Sequence, residues 1–451
     1  MVVYVNTLAL CYRAVIRQLM LTVLSQVNYF NKEVKMKMNL KLLPLSIAAA
    51  LSTLPISSIA EEVDAFVFSG YARYGMAYTG GDNTLVEAGS QKAGNAAGRL
   101  GNEGNGGEFQ FTKKFVNDAG AKWDVAVMLE HWGDDVGLKK FYAGGSNIFE
   151  AQPNAYVWAG RDFHQRPQQG LNDYAYMTHD GQGAGVKGLE LGNIAQLDLG
   201  VVGQAGSGTG DNGNYAFTSK LHGLNLSDSL ALSFLFNVGF SPDDAAAATA
   251  AVAASAASAN LTTGEVTPAV EASDATYAES DKSYQLAAVF DQSWSMGGNK
   301  FIVRYADGAD NSVFTREDDL TTLYFSLEGN VKFNETFALE YLGAYHNYAK
   351  GQDDSLDTTN YSVISRGLYT WNSVHSTWLE AGYSIVDFDN QDANNSAWKV
   401  TLSQNIAIDA FANARPMLRF YATVGDADVE VADTTTTTDT FTVGAMFESW
   451  W

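Results

Sequence analysis

Residues 230–240 read "LALSFLFNVGF". Counted in twos, Leu230, Leu232, Phe234, Phe236, Val238 and Phe240 share one face, and Ala231, Ser233, Leu235, Asn237 and Gly239 share the other. A period of two is the signature of a β-strand. "WDVAVMLE", residues 123–130, repeats the pattern, with Trp123, Val125, Val127 and Leu129 set against Asp124, Ala126, Met128 and Glu130. In a soluble sandwich the apolar face is the core. In an outer-membrane barrel it meets lipid, and the small and polar face lines water.

The connections separate these cases. Short turns at 117–120, 192–193, 297–299 and 334–335 alternate with long polar excursions. The excursions fall near 80–98, 133–152, 164–185, 205–216, 241–281, 306–318, 349–359, 387–396 and 426–439. Nine excursions imply nine hairpins, and so an all-β fold: a transmembrane up-and-down antiparallel β-barrel of about 18 strands. A barrel of that size encloses an aqueous channel rather than a side-chain core. One excursion, residues 243–280, is an alanine-rich low-complexity stretch, expected to be a mobile external loop.

Outside the N-terminal region no apolar run reaches the roughly 18 residues of a membrane helix. "MKMNLKLLPLSIAAALSTLPISSIA", residues 36–60, has two lysines, an apolar centre and small residues at Ser58 and Ala60, the pattern of a signal peptide. Residues 1–35 then read as a start codon placed too early, and 61–451 as a single barrel. Pro44 and Pro55 speak against a spanning helix here. The one cysteine, Cys11, lies in the upstream segment, so disulfides and thiol chemistry play no part. Residues 1–60 hold 6 of the 28 Lys+Arg and 1 of the 51 Asp+Glu, which leaves the rest at −28. Nucleic acid is a poor partner for such a charge.

Catalysis finds little support. The six histidines are scattered, without metal-ligand spacing, and no Gly-x-Ser-x-Gly elbow occurs. No enzyme activity, cofactor or metal is expected. In "FVFSGYARYGMAY", residues 66–78, alternation puts Phe66, Phe68, Tyr74, Met76 and Tyr78 outside. It puts Tyr71 and Arg73 inside, side by side. A ring beside a charged donor suits a sugar, whose C–H faces stack while its hydroxyls take hydrogen bonds.

"GYARYG" (70–75), "GRLGNEG" (98–104), "VWAGRDFHQR" (157–166), "GNKFIVRYA" (298–306), "ARPMLRFYAT" (414–423) and the terminal "SWW" together resemble the maltoporins, trimeric outer-membrane channels for maltose and maltodextrins. The motifs run in family order from Val63 to Trp451. The resemblance implies an 18-stranded barrel with an inward-folded third loop near 164–185, and an aromatic slide flanked by a polar track. The slide residues fall on Tyr71 and Trp450, with Phe411 as a substitute where the family's tryptophan position is Asn413. The track residues fall on Arg73, Arg99, Arg166 and Asp173. The slide position of the "GNKF" strand is Gly298, and Glu108 and Gln110 stand near another. In the third loop a family aspartate is Gln168 and the constriction tyrosine is Ala175, which implies a wider and less discriminating pore. Trp132 and Tyr142 are candidates for the aromatic that a neighbouring subunit lends through its second loop.

On the last strand Phe441, Val443, Ala445, Phe447, Ser449 and Trp451 form the outer set. Thr442, Gly444, Met446, Glu448 and Trp450 form the inner one. The expectation is a passive, homotrimeric sugar channel in the outer membrane of a Gram-negative bacterium, with maltodextrin-type sugars and lipid as partners. A general diffusion porin is the alternative; a surface adhesin and a barrel hydrolase are more distant rivals.

Overall fold

The computed structural model describes residues 65–80, 85–133, 135–205, 210–242, 258–259, 266–267, 279–351, 357–389, 393–431 and 434–451. The leader expected at 1–60 and most of the alanine-rich stretch lie outside these residues. The strands are β1 (Phe66–Thr79), β2 (Gly106–Val116), β3 (Lys122–Trp132), β4 (Val136–Ser146), β5 (Tyr156–Asp162), β6 (Gly181–Leu191), β7 (Ala195–Ala205), β8 (Asp211–Ser227) and β9 (Leu230–Phe240). A two-residue ribbon follows, β10 (Ser258–Ala259) with β11 (Val266–Thr267). The wall resumes with β12 (Lys282–Trp294), β13 (Gly297–Asp307), β14 (Leu320–Lys332), β15 (Phe337–Lys350) and β16 (Thr358–Thr370). It ends with β17 (His375–Phe388), β18 (Ala393–Ala407), β19 (Met417–Val431) and β20 (Thr434–Trp450).

Each wall strand pairs antiparallel with the next, β9 pairs with β12, and β20 returns to β1 through Tyr71↔Trp450 to Thr79↔Thr442. The eighteen-stranded sheet is therefore closed and leaves no edge to solvent. Alternation holds along it. Phe66, Met76 and Tyr78 are exposed on the outside of β1, and Phe441, Val443 and Phe447 on the outside of β20. Thr442, Met446 and Glu448 are buried on the inside. The outer ring of Trp451 lies against Gly70, where an added Cβ would stand 2.7 Å from Cζ2.

The connection expected at 133–152 differs from the structure. Only 133–135 link β3 to β4; residues 136–146 are a strand and 147–155 turn at the opposite end. The period was hidden by a bulge: Met128 pairs with Lys140 and Leu129 with Leu138, leaving Lys139 unmatched. Likewise, most of 426–439 is strand. Its threonines are polar but β-branched, and they prefer the pleated backbone to a loop.

Three connections lie against the inner wall. From the β1–β2 connection, Lys92 N donates to Asn360 Oδ1 at 3.0 Å and Leu100 N to Glu380 Oε1 at 2.8 Å. From the β5–β6 connection, Gly170 N donates to Glu328 Oε1 at 2.8 Å. The β13–β14 connection offers its Val313 carbonyl, which accepts from Ser283 Oγ of β12 at 2.9 Å. The first two also hold each other, with Arg99 N on the Leu171 carbonyl at 2.9 Å. These connections lie inside the barrel, which narrows the space left for passage.

Candidate functional site at the barrel seam

The seam where β20 meets β1 brings several of the expected residues together. Tyr71 and Trp450 are direct cross-strand partners on the inner face. Tyr71 OH donates to Glu448 Oε1 at 2.9 Å and accepts from Arg99 Nη2 at 2.8 Å. Arg73 Nε donates to the Gly104 carbonyl at 2.9 Å, and its Nη1 to Asp173 Oδ2 at 3.2 Å. Tyr71, Arg73, Arg99, Asp173 and Trp450 thus share one region, although they come from two strands and two loops.

The centre of that region is a carboxylate. Glu448 is 1% exposed and pairs with Arg99, with Arg415 at 2.9 Å and with Arg419 at 3.1 Å. Glu103 supplies a second carboxylate to Arg419 and, at 3.7 Å, to Arg99. Burial alone would raise the Glu103 carboxyl; Arg419 and then Arg99 outweigh it and hold it below its ordinary range. Such a network fixes the guanidinium planes, and rigid planar donors suit a row of hydroxyls.

The aromatics are held by the same cations. The Arg415 guanidinium lies 4.3 Å from the Trp450 ring centroid, which covers one face of the indole. Trp132 stacks on Tyr71 with centroids 6.3 Å apart, and Arg73 lies 5.1 Å from the Trp132 centroid. Trp132 and Tyr142 both stand on inner faces of this chain's own strands, β3 and β4, because the link between those strands is three residues long. Trp132 therefore extends the Tyr71 surface within one barrel.

Other expected residues stand apart. Phe411 is 40% exposed and lies in the turn between β18 and β19, where its N–H caps Asp409 Oδ1 at 3.0 Å. The strand-like spacing that placed it beside Asn413 fails because 408–416 is a turn, with Asn413 at φ +50°. Arg166 does not join the Arg73 and Arg99 group. It pairs with Asp180 at 2.9 Å and lies 4.5 Å from the Phe163 ring. Burial pushes Asp180 up to about 6, against the opposing pull of Arg166, Lys139 and Lys140.

The β5–β6 connection explains how its departures are displayed. Tyr174 and Tyr176 are buried: Arg304 Nη1 donates to Tyr174 OH at 3.2 Å and to the Tyr176 carbonyl at 2.5 Å. With those two turned to the wall, Asp173 and Ala175 alternate to the open side, both half-buried. Gln168 bridges to Ala175 and donates to Asp173. His164 and His179 lock the ends of the loop, to Thr218 Oγ1 at 2.6 Å and to Val313 N at 3.3 Å. Burial holds the first at about 4 and the second at about 3, so both are neutral at neutral pH.

Glu448, Glu103, Arg415 and Arg419 were not singled out from sequence. The available signal was the inner-face alternation of β20, which puts Glu448 two residues before Trp450. Tyr421 was missed as well. It lies over Gly444, whose added Cβ would stand 2.3 Å from its Cζ.

A closed antiparallel barrel with a polar, charge-paired interior and an apolar exterior defines a channel of the outer membrane of Gram-negative bacteria. The LamB porin family model matches residues 66–451, and the chain belongs to that family. Similar solved structures include Pseudomonas aeruginosa OpdQ (TM-score 0.47, 11% identity, 86% of this chain and 99% of that one) and P. aeruginosa OccD3, also called OpdP (0.46, 11%, 86% and 92%). Vibrio cholerae OmpT is another (0.44, 12%, 87% and 99%).

Proposed function

We propose that the barrel conducts neutral oligosaccharides of the maltodextrin type, passively and as a homotrimer. The observation that carries this reading is the run of rings at the seam, Trp132 on Tyr71 with Trp450 beside it, edged by the Arg73–Asp173 and Arg99–Glu448 pairs. A pyranose entering there lays its C–H face on an indole or phenol ring. Its hydroxyls exchange hydrogen bonds with fixed guanidinium and carboxylate groups. Each contact is weak, as conduction requires: a site must recruit the solute and still release it. The −28 charge of residues 61–451 disfavours anionic sugars at the mouth.

A general diffusion porin is the second reading. Ala175 on the open side of the loop and Gly298 in place of a slide aromatic favour it. Ion current through the purified channel in a planar bilayer, titrated with maltodextrins of rising length, separates the two. Block that tightens with chain length supports the sugar path. An open current unchanged at millimolar sugar leaves the diffusion porin.

A further inference from the structure

Tyr156 opens β5, and its ring leans along the wall. A Cβ built on Gly144 of β4 would lie 2.1 Å from the Tyr156 hydroxyl oxygen and 2.3 Å from its Cζ. The ring therefore crosses β4 where that strand has no side chain, with one face on backbone. Its hydroxyl reaches β3 and donates to Asp124 Oδ1 at 2.7 Å. Gly144 is the cross-strand partner of Asp124 on one side and of Trp158 on the other, so glycine, ring and carboxylate lie in one line across the wall.

Tyr142 stands two residues from Gly144 on the same face. Its partner is Gly160, where an added Cβ would meet Tyr142 Cα at 2.5 Å. Both tyrosines are half-buried, so part of each remains open to the interior. Among the described residues the Tyr142 hydroxyl and Asp124 Oδ2 have no hydrogen-bond partner. Lys114 is the cross-strand neighbour of Asp124, and Lys187 that of Tyr156. A tyrosine laid over a glycine has a packing role of its own. That role accounts for Tyr156, but not for an unused phenol and an unused carboxylate oxygen beside it.

We propose that Tyr142, Tyr156 and Asp124 form a second sugar-stacking site, on β3–β5 and apart from the Tyr71–Trp450 seam. This rests on the sugar-conducting reading above. The Tyr156 ring packs in part against the buried cluster around Trp158, and the part left exposed meets the C–H side of a pyranose. Asp124 Oδ2 accepts from a hydroxyl, the Tyr142 hydroxyl donates or accepts, and Lys114 and Lys187 supply donors at the margin. With two such sites on different parts of the wall, a sugar leaving one ring surface finds another.

The test is current block by maltohexaose in planar bilayers, for the full chain and for Tyr142→Ala, Tyr142→Phe, Asp124→Asn and Tyr71→Ala. A tenfold change in affinity is about 1.4 kcal/mol, within reach of one hydrogen bond to a charged group. Asp124→Asn is therefore expected to raise the half-blocking concentration about tenfold, and Tyr142→Ala, which loses a bond between neutral groups, to raise it several-fold. Tyr142→Phe, which removes only the hydroxyl, is expected to lose as much block as Tyr142→Ala. If Tyr71→Ala weakens block while Tyr142→Ala, which leaves Asp124 in place, matches the unaltered channel, this site is refuted and the seam stands. If the unaltered channel is not blocked at all, the sugar-conducting reading fails and takes this site with it.

Discussion

Replacing Glu448 by glutamine tests the seam most directly. The carboxylate is 1% exposed and accepts from Tyr71, Arg99, Arg415 and Arg419. Glu448→Gln keeps the shape, removes the charge and turns one acceptor into a donor aimed at guanidinium groups. Arg99 and Arg419 retain Glu103. Among the described residues Arg415 then keeps hydrogen bonds to Asn413, whose carbonyl it reaches at 2.7 Å and whose Oδ1 it reaches at 2.9 Å, and its place over the Trp450 ring, but no carboxylate. Removing one partner of a buried pair costs about 3–5 kcal/mol, chiefly because a charge is left unpaired. Urea unfolding in phospholipid vesicles, followed by tryptophan fluorescence, is expected to show a loss of about that size. The same variant adds a net positive charge beside the path, so its reversal potential under a KCl gradient is expected to move toward chloride. A loss below about 1 kcal/mol, the worth of an exposed pair, with an unchanged reversal potential, would refute the hub role of Glu448.

Trp450→Ala is expected to weaken sugar block several-fold with assembly intact; undiminished block means that the ring does not meet the solute. Gly382→Val is expected to displace the β1–β2 connection from the wall, because a Cβ there would lie 2.1 Å from the Ala97 carbonyl oxygen. Overpacking of this kind costs about 1–3 kcal/mol, and single-channel conductance should rise as the loop leaves the wall. Asp180 gives a pH test. Its folded carboxyl titrates at about 6 against 3.8 in the ordinary case, so the folded chain binds the extra proton between these values. The contribution of Asp180 to stability therefore falls as pH rises through that window. In the other direction, acidification through pH 6 neutralises the partner of Arg166. Anion preference should grow below pH 6 in the unaltered channel and be pH-independent there in Asp180→Asn.

The barrel was legible because its sequence signal is local. A period of two survives in every strand whose neighbours are regular, and "LALSFLFNVGF" and the last strand gave both faces correctly. The reading faltered where polarity and period part company. Residues 136–146 carry Lys139 and Lys140 around a bulge, and 434–438 are five threonines. Both look like loop by composition and are strand by backbone preference. Phe411 failed for the converse reason: alternation was assumed across a turn.

Which residues face in or out follows from the sequence alone, since pleating fixes it one residue at a time. Tyr71, Arg73 and Trp450 were placed on the inside in that way. What they touch was decided only by closure of the barrel. Tyr71 and Trp450 lie hundreds of positions apart, and they meet because the first and last strands pair. Arg99 and Asp173 reach the same point from two loops lying on the inner wall, whereas Arg166, from the second of those loops, pairs elsewhere. Pairings of such long separation leave no periodic trace in the chain. Register across the seam and the docking of loops set them, and these belong to the folded whole.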